Sequence, residues 1–131
     1  MIMLDTNVVV AFLNGDKSIL KRIRDEIDRI ALSSLVVAEL DYGAKASQRA
    51  KENLDNLYHL VDICQVIPFD VECAKVFGTI KSKLRSLGRP TGEMDGLIAA
   101  TAMAHKAALV TADKKHFKNI EGLKLEVWPI K

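Results

Sequence analysis

The 131-residue sequence has little of what several common kinds of site require. Its two cysteines, Cys64 and Cys73, show no spacing typical of a metal site, and we expect free thiols in a reducing cytoplasm rather than a disulfide. The three histidines are scattered, with neither the HExxH motif of zinc proteases nor a serine–histidine pairing. No GxGxxG or Walker-type loop is present to cradle a nucleotide. These absences argue against zinc hydrolases, serine hydrolases and nucleotide-binding proteins.

Long apolar runs are missing as well. The longest uncharged stretch, 96–104, is far too short to span a bilayer. The first apolar run ends at Asp5, which leaves no room for a signal peptide. The composition, 49% hydrophobic and 27% charged, is ordinary for a globular protein. We therefore expect one domain over residues 1–131, located in the cytoplasm and without a membrane partner.

What the sequence does contain is four acidic residues in apolar surroundings. Asp5 and Asp113 each follow an apolar run, Glu39 lies inside one, and Asp95 opens an alanine-rich segment. A carboxylate in such a setting costs several kcal/mol unless a cation compensates it. Because no lysine or arginine is an obvious partner, the pattern predicts a divalent-cation site and hydrolytic chemistry on phosphates. Carboxylate oxygens favour Mg²⁺ or Mn²⁺ over Zn²⁺.

The net charge of +2 is compatible with a polyanionic substrate. If four of the 17 acidic residues gather at one site, the 19 basic residues leave the rest of the surface clearly positive. A positive rim around a metal-loaded acidic centre suits nucleic acid. Many surfaces without such a ligand are mildly basic as well.

Short apolar strands alternate with amphipathic helices, which predicts an α/β fold: a three-layer α/β/α sandwich around a central, mainly parallel sheet. Ligands of such sheets bind beyond the carboxyl ends of the strands, where we expect Asp5 and Asp113. The predicted elements are strand 2–4, helix 6–13, a helix from an Asp16 cap to about 29, strand 30–32, a helix from a Ser33–Ser34 cap to about 46, helix 48–61, strand 66–69, a helix from an Asp70 cap to about 87, helix 94–105, strand 108–110, a turn at 113–117 and a strand near 125–128.

Each acid also has a structural interpretation. Asp5 and Asp113 are suited to cap the turns that follow them, and Asp95 suits the positive end of its helix. Glu39 is harder to explain in this way, because its helix has little polar face and the side chain is predicted to point inward. Two other carboxylate enzymes are excluded by the sequence. A haloacid-dehalogenase phosphatase needs a second Asp where Asn7 stands, and the paired acids of a receiver domain are missing.

Four segments of the sequence form a recognisable pattern. They are LDTNV at 4–8, VAEL at 37–40, GRPTGEMDGLIAA at 88–100 and VTADKKHF at 110–117. In their order and spacing, from Ile2 to Trp128, the chain resembles a PIN-domain ribonuclease of the VapC toxin type. The glycine–proline loop followed by Asp-x-Leu-Ile-Ala-Ala is the specific part of this resemblance. Thr91 departs slightly from it, because relatives often carry an apolar residue there.

The resemblance implies that Asp5, Glu39, Asp95 and Asp113 form an acidic metal centre. The first three would hold the main Mg²⁺ or Mn²⁺ ion. Asp113, at a position that varies between Asp and Asn in the family, would position a second ion or the attacking water. We expect metal-assisted hydrolysis of RNA phosphodiester bonds that leaves 5′-phosphate and 3′-hydroxyl ends.

Other residues are candidates for supporting roles. Side chains that orient ligands or waters by hydrogen bonds are expected at Thr6, Asn7 and Thr111. The candidate RNA contacts are Arg89, Lys114, Lys115, His116 and Lys118, for each of which a solvated surface role is an equal alternative. His59 and His105 are expected to be structural or surface residues.

The resemblance also implies partners. Family members usually form homodimers, act on RNA such as tRNA or rRNA, and are held inactive by a cognate VapB-type antitoxin. Two other functions stay open at this point. One is a stand-alone PIN nuclease of RNA processing or DNA repair that has no antitoxin. The other is a catalytically inactive PIN-fold binding module, against which the presence of all four acids counts.

Overall fold

The computed structural model describes residues 1–89 and 91–130, and within them five strands form one parallel sheet in the order β3-β2-β1-β4-β5. The strands are β1 Ile2–Leu4, β2 Ile30–Ser33, β3 Gln65–Ile67, β4 Ala108–Thr111 and β5 Leu125–Val127. The helices are α1 Thr6–Leu13, α2 Lys17–Asp25, α3 Ser34–Lys45, α4 Ala50–Ile63, α5 Val71–Ser86 and α6 Glu93–Ala104, with short 3₁₀ helices at Ile27–Arg29 and Lys114–Phe117. This is the parallel α/β architecture that the sequence predicts.

Helices cover both faces of the sheet at its centre. Every residue of β1 and β2 is buried, although neighbouring side chains on a strand point to opposite faces. In α6 the small residues Ala99, Ala100 and Ala102 are fully buried and allow this helix to approach its neighbours closely. Gly96 serves the same purpose, since a Cβ built there would lie 3.1 Å from the Phe77 ring of α5. The core therefore fixes α6, and with it the position of Asp95.

The sheet places the ends of β1 and β4 side by side. Leu4 pairs with Val110, and the Asp5 amide donates to the Val110 carbonyl at 2.8 Å. The β1–β4 hydrogen bonding thus continues one residue beyond β1, up to the point where α1 begins. Asp5 is consequently held by its backbone at the carboxyl edge of the central strands, the edge where ligands bind in this class of fold.

Three predicted elements differ from the structure by two residues or more at one or both ends. The second helix ends at Asp25 and gives way to the 3₁₀ turn Ile27–Arg29, so that Ile30 can begin β2. The fourth helix begins at Ala50 rather than 48 and runs to Ile63, because Ser47 forms a turn in which its hydroxyl donates to the Ala44 carbonyl. Strand β3 ends at Ile67, before Pro68, which has no amide hydrogen for the sheet.

Four helices have the side-chain N-caps that the sequence suggests. Asp5, Asp16, Ser33 and Asp70 each accept hydrogen bonds from backbone amides at the start of the following helix. No helix among the described residues is long and apolar enough to cross a membrane. Pro90, part of the predicted glycine–proline loop, lies outside the described residues.

Replacing Ser33 by Ala should destabilise the fold through loss of the α3 cap. The buried Ser33 hydroxyl accepts from the Leu35 amide at 3.0 Å, and Ser33→Ala leaves that amide unpaired. We expect the free energy of unfolding in urea to fall by about 1 kcal/mol. Ser86→Ala is the matched control, since Ser86 is exposed at a helix end and its loss should cost less than ~0.5 kcal/mol. Equal losses in both variants would contradict the assignment of Ser33 as the cap.

Candidate functional site

Asp5 lies where β1 ends and α1 begins, and both of its carboxylate oxygens accept hydrogen bonds. Oδ1 accepts from the Thr6 amide at 2.8 Å, as an N-cap does. Oδ2 accepts from the Thr111 hydroxyl at 2.9 Å, across from the end of β4. The residue is 6% exposed. The fold therefore buries this carboxylate and fixes its orientation with neutral donors.

Glu39 is brought to the same edge by α3. The Thr6 hydroxyl donates to Glu39 Oε1 at 2.7 Å, which links the first turn of α1 to the middle of α3. Glu39 is half-buried and faces an open cleft rather than the core. The expectation that its side chain points inward with the core residues is therefore corrected: the buried positions of α3 are Val36, Leu40 and Ala44, and Glu39 lies beside that stripe.

Asp95 reaches the cleft from the first turn of α6. Its Oδ2 lies 3.7 Å from His116 Nδ1, and the side chain is 30% exposed. A Cβ at Gly92 would come within 3.1 Å of the same oxygen, so glycine leaves this carboxylate room. The Thr91 hydroxyl donates to the His116 carbonyl at 2.8 Å and so ties the start of α6 to the turn that carries His116.

The three acids open on one cleft of about 470 Å³. Side chains from α1, α3 and α6, from the Lys114–Phe117 turn and from the C-terminal segment form its wall. The lining residues are Asp5, Thr6, Asn7, Val10, Ala11, Asn14, Glu39, Asp95, His116 and Ile130.

Charge in the cleft is unbalanced. Burial, followed by smaller contributions from the Asp95 and Glu39 charges, raises the pKa of Asp5 above its ordinary value, although hydrogen bonds from Thr111 and Thr6 oppose the shift. Burial likewise raises the pKa of Asp95, with His116 opposing and Glu39 adding to the effect. Among the described residues, no lysine or arginine forms an ion pair with any of the three acids.

This donor set fits a hard divalent cation. All three groups offer carboxylate oxygens, which suit Mg²⁺ and Mn²⁺. In the described part of the chain, their ligand atoms do not form a group that lies entirely within 4.8 Å.

Asp113 is placed differently from the other three acids. Its Oδ1 accepts from the Lys115 amide at 3.0 Å, capping the 3₁₀ turn, and its Oδ2 lies 3.6 Å from Lys115 Nζ. The hydrogen bond from the Lys115 backbone, with its side-chain charge, lowers the pKa of Asp113. The expectation that all four acids lack a basic partner is thus wrong for Asp113. Its carboxylate is not part of the cleft lining.

Two of the three predicted orienting residues, Asn7 and Thr111, form one hydrogen-bonded chain behind Asp5; the third, Thr6, holds Glu39. The Thr111 hydroxyl, fully buried, donates to Asp5 and accepts from Asn7 Nδ2 and from the Asp113 amide, each at 3.3 Å. Asn7 Oδ1 in turn accepts from the Ala112 amide at 3.2 Å. These contacts join the start of α1 to the end of β4 and restrict the Asp5 carboxylate to one orientation.

The predicted RNA contacts are only partly at the cleft. His116 lines it, whereas the other four, Arg89, Lys114, Lys115 and Lys118, are exposed and do not. Lys115 is engaged with Asp113. Asn14 also lines the cleft, although the sequence interpretation does not include it among the site residues. The spacing Asn7, Val10, Asn14 along a helix is the signal that places it on the cleft face.

The sequence interpretation also missed a second group of potential ligands. Asp70, Cys73 and His105 bring one ligand atom each to within 4.8 Å of one another, at the start of α5 and the end of α6. The cysteines show no metal-site spacing in the sequence, because the ligands of this group come from two helices that are far apart along the chain.

Comparisons with known proteins agree on one family. The PIN domain matches residues 2–123 of this chain. Ribonuclease VapC2 of Rickettsia felis is 35% identical over 129 residues, and tRNA(fMet)-specific endonuclease VapC of Shigella flexneri is 32% identical over 127 residues; each match covers 96% of both chains. The crystal structure of VapBC2 from Rickettsia felis, bound to a DNA fragment from their promoter, matches with a TM-score of 0.91 at 36% identity, over 98% of this chain and 99% of that chain.

Removing the Asp95 charge should stabilise the metal-free protein. The folded state holds protons on Asp5 and Asp95 more tightly than the unfolded chain does, so its stability falls as the pH rises above 3.8 through their raised pKa values. At pH 7 in EDTA we expect Asp95→Asn to unfold at higher urea concentration than the wild type.

Asp113→Asn is the matched control for this prediction. The pKa of Asp113 is lowered, so its charge favours the folded state above pH 3.8, and removing it should leave stability unchanged or lower. A destabilised Asp95→Asn variant in EDTA would contradict the view that the acids of the cleft repel one another.

Proposed function

Because the chain belongs to the PIN-domain family and, within it, to the VapC ribonucleases, we propose that it is the endoribonuclease toxin of a toxin–antitoxin pair and that it depends on Mg²⁺ or Mn²⁺. One observation carries the metal dependence. Asp5, Glu39 and Asp95 share a cleft in which no lysine or arginine of the described residues pairs with them. A divalent cation supplies the missing charge.

The three acids have separate tasks in this proposal. Asp5 at the end of β1, Asp95 at the start of α6 and Glu39 on α3 would hold the cation. The Thr6 hydroxyl fixes Glu39, and the Thr111 hydroxyl fixes Asp5, so that the oxygens keep their orientation without being neutralised. The cation, when bound, favours deprotonation of a water and stabilises the negative charge that develops on the phosphodiester.

Asp113 acts on the cleft indirectly. Its carboxylate caps the turn Lys114–Phe117, and that turn carries His116 to the cleft wall. We propose that Asp113 is a positioning residue, in place of the direct role in holding a second ion or the water that the resemblance implies. This assignment accords with an Asn at the same position, because an Asn side chain also caps turns.

RNA enters over the positive side of the cleft. His116 Nδ1 lies 3.7 Å from Asp95 Oδ2, and Lys114 and Lys118 flank His116 along the exposed turn. Contacts of this kind bind the phosphate backbone and carry no sequence information. Choice of RNA must then come from shape and from exposed loops. The relative from Shigella flexneri is named for tRNA(fMet), so initiator tRNA is the first substrate to test.

The partner of this chain is proposed to be a VapB-type antitoxin. The similar structure from Rickettsia felis is a VapBC2 assembly on promoter DNA and covers nearly the whole chain. The other candidate functions keep less support. A stand-alone nuclease would share the cleft but lack the partner, and an inactive binding module would have no use for three acids that repel one another.

Substitutions in the cleft should separate the acids by function. We expect purified protein to cut tRNA(fMet) in a mixed pool of tRNA and rRNA fragments with Mg²⁺ or Mn²⁺ and not with EDTA. Asp95→Asn should lower kcat/KM by about 100-fold or more, since it removes one of the three carboxylates that would hold the cation. Asp113→Asn should lose less than about tenfold, equivalent to ~1.4 kcal/mol.

The product ends test the reaction itself. Attack by water leaves 5′-phosphate and 3′-hydroxyl ends, whereas attack by the ribose 2′-hydroxyl leaves a 2′,3′-cyclic phosphate. Cyclic ends, or full activity of Asp95→Asn in EDTA, would overturn the proposed mechanism. An equal loss in Asp113→Asn and Asp95→Asn would restore Asp113 to the metal centre.

A further inference from the structure

A second cluster of ligand-type side chains lies where α5 begins and α6 ends. Asp70 is the N-cap of α5, Cys73 lies in its first turn, and His105 is the C-cap of α6. One atom from each, a carboxylate oxygen, the thiol sulfur and an imidazole nitrogen, lies within 4.8 Å of the other two. The acidic cleft does not use any of these residues.

The cluster is separate from the acidic cleft. Asp95 and His105 are ten residues apart on or next to α6, which at 1.5 Å per residue corresponds to roughly 15 Å along the helix axis. The two groups also differ in chemistry. The three acids of the cleft offer oxygen only, whereas this cluster offers oxygen, nitrogen and sulfur, a set that favours Zn²⁺ over Mg²⁺.

The spacing of the ligand atoms is close to that of a tetrahedral zinc site. Zn–N and Zn–O bonds of about 2.0–2.1 Å place neighbouring N and O ligands ~3.3 Å apart at the tetrahedral angle. His105 Nε2 and Asp70 Oδ2 are 3.3 Å apart. The Cys73 sulfur lies within 4.8 Å of the other two ligand atoms. A Zn–S bond of ~2.3 Å would place it about 3.6 Å from them, so a movement of roughly 1 Å completes three ligands.

The hydrogen bonding leaves the right atoms available. Asp70 Oδ1 is occupied, because it accepts from the Cys73 amide at 3.0 Å, and Oδ2 faces the imidazole. His105 Nε2 is buried and lies 3.3 Å from Asp70 Oδ2 but makes no well-aligned hydrogen bond in the described structure, which is unusual for a buried polar atom. The Cys73 sulfur is fully buried; the Pro68 carbonyl lies 3.9 Å away, and the Asp70 carboxylate and Thr101 side chain are its other polar neighbours. The imidazole nitrogen and the thiol sulfur thus both face the Asp70 carboxylate.

We propose that Asp70, Cys73 and His105 bind Zn²⁺ as a three-ligand site that ties the start of α5 to the end of α6. On binding, the Cys73 thiol loses its proton to solvent and coordinates as the thiolate, and the Asp70 carboxylate binds through Oδ2. Asp70 is exposed on one side of the site, so a water can take the fourth position. The proposal does not rest on the nuclease activity of the cleft.

Zinc and cobalt binding test this site directly. The wild-type chain, freed of metal and then held in excess Mg²⁺ to occupy carboxylate sites, should bind one equivalent of Zn²⁺ in a titration against a chromophoric chelator. With Co²⁺ it should show a thiolate-to-cobalt charge-transfer band in the near ultraviolet. Zn²⁺ should also raise the midpoint of thermal unfolding, because it binds only the folded arrangement of the two helices.

Matched variants separate this site from incidental binding. Cys73→Ser and His105→Gln should each weaken Zn²⁺ binding by more than about tenfold, since even changes to groups that only orient zinc ligands cost ~10–100-fold. Cys64→Ser and His59→Gln remove the same residue types elsewhere and should bind as the wild type does. Asp70→Asn keeps the helix cap, so it tests the ligand role without removing the start of α5.

The outcomes divide cleanly. Stoichiometric binding and a charge-transfer band that are lost in Cys73→Ser and kept in Cys64→Ser support the site. Absence of the band in the wild type, or equal Zn²⁺ affinity in Cys73→Ser, His105→Gln and the two controls, would overturn it and leave a simple His105–Asp70 ion pair. If Cys73→Ser does not fold, the same comparison is made with His105→Gln and Asp70→Asn.

Discussion

The structure depends on one electrostatic constraint, the gathering of negative charge at the carboxyl edge of the central strands. Asp5 is held there by its own backbone, because its amide continues the β1–β4 hydrogen bonding. Its carboxylate is 6% exposed and has Asp95 and Glu39 as charged neighbours. A buried carboxylate without a cation lowers stability, and the raised pKa values of Asp5 and Asp95 express that cost. The same arrangement offers three carboxylates to a divalent cation, whose binding would offset this loss of stability.

Neutral hydrogen-bond donors make this arrangement workable. Thr6 and Thr111 hold Glu39 and Asp5 in place, and Asn7 holds Thr111. A lysine or arginine in any of these positions would orient the carboxylates equally well but would also neutralise them and compete with a metal ion. Hydroxyl and amide groups fix the geometry and leave the charge available. Asp113 shows the contrast, since its charge is already balanced by Lys115 and its pKa is lowered.

The sequence predicts those parts of the molecule that local chemistry determines. Strands of consecutive apolar residues and helix caps such as Ser33 and Asp70 depend on neighbours within a few residues, and the structure has them where the sequence predicts them. The convergence of Asp5 and Asp95 follows from the fold class and the order of its strands. Lys115, the partner of Asp113, lies only two residues further along the chain. The sequence does not identify this pair, because it does not show whether the lysine side chain folds back onto the carboxylate. The sequence does not predict the contact between Asp70 and His105, since it depends on how α5 packs against α6.

Asp5, Glu39 and Asp95 are proposed to surround one divalent cation. A crystal of the chain soaked in Mn²⁺ and measured at the manganese absorption edge tests it without any substrate. We predict an anomalous peak in the cleft, with oxygens of these three carboxylates or their bound waters as its neighbours and with Asp113 still paired to Lys115. A fully soaked crystal with no peak between the three acids would contradict the account, even if Mn²⁺ were found elsewhere on the protein.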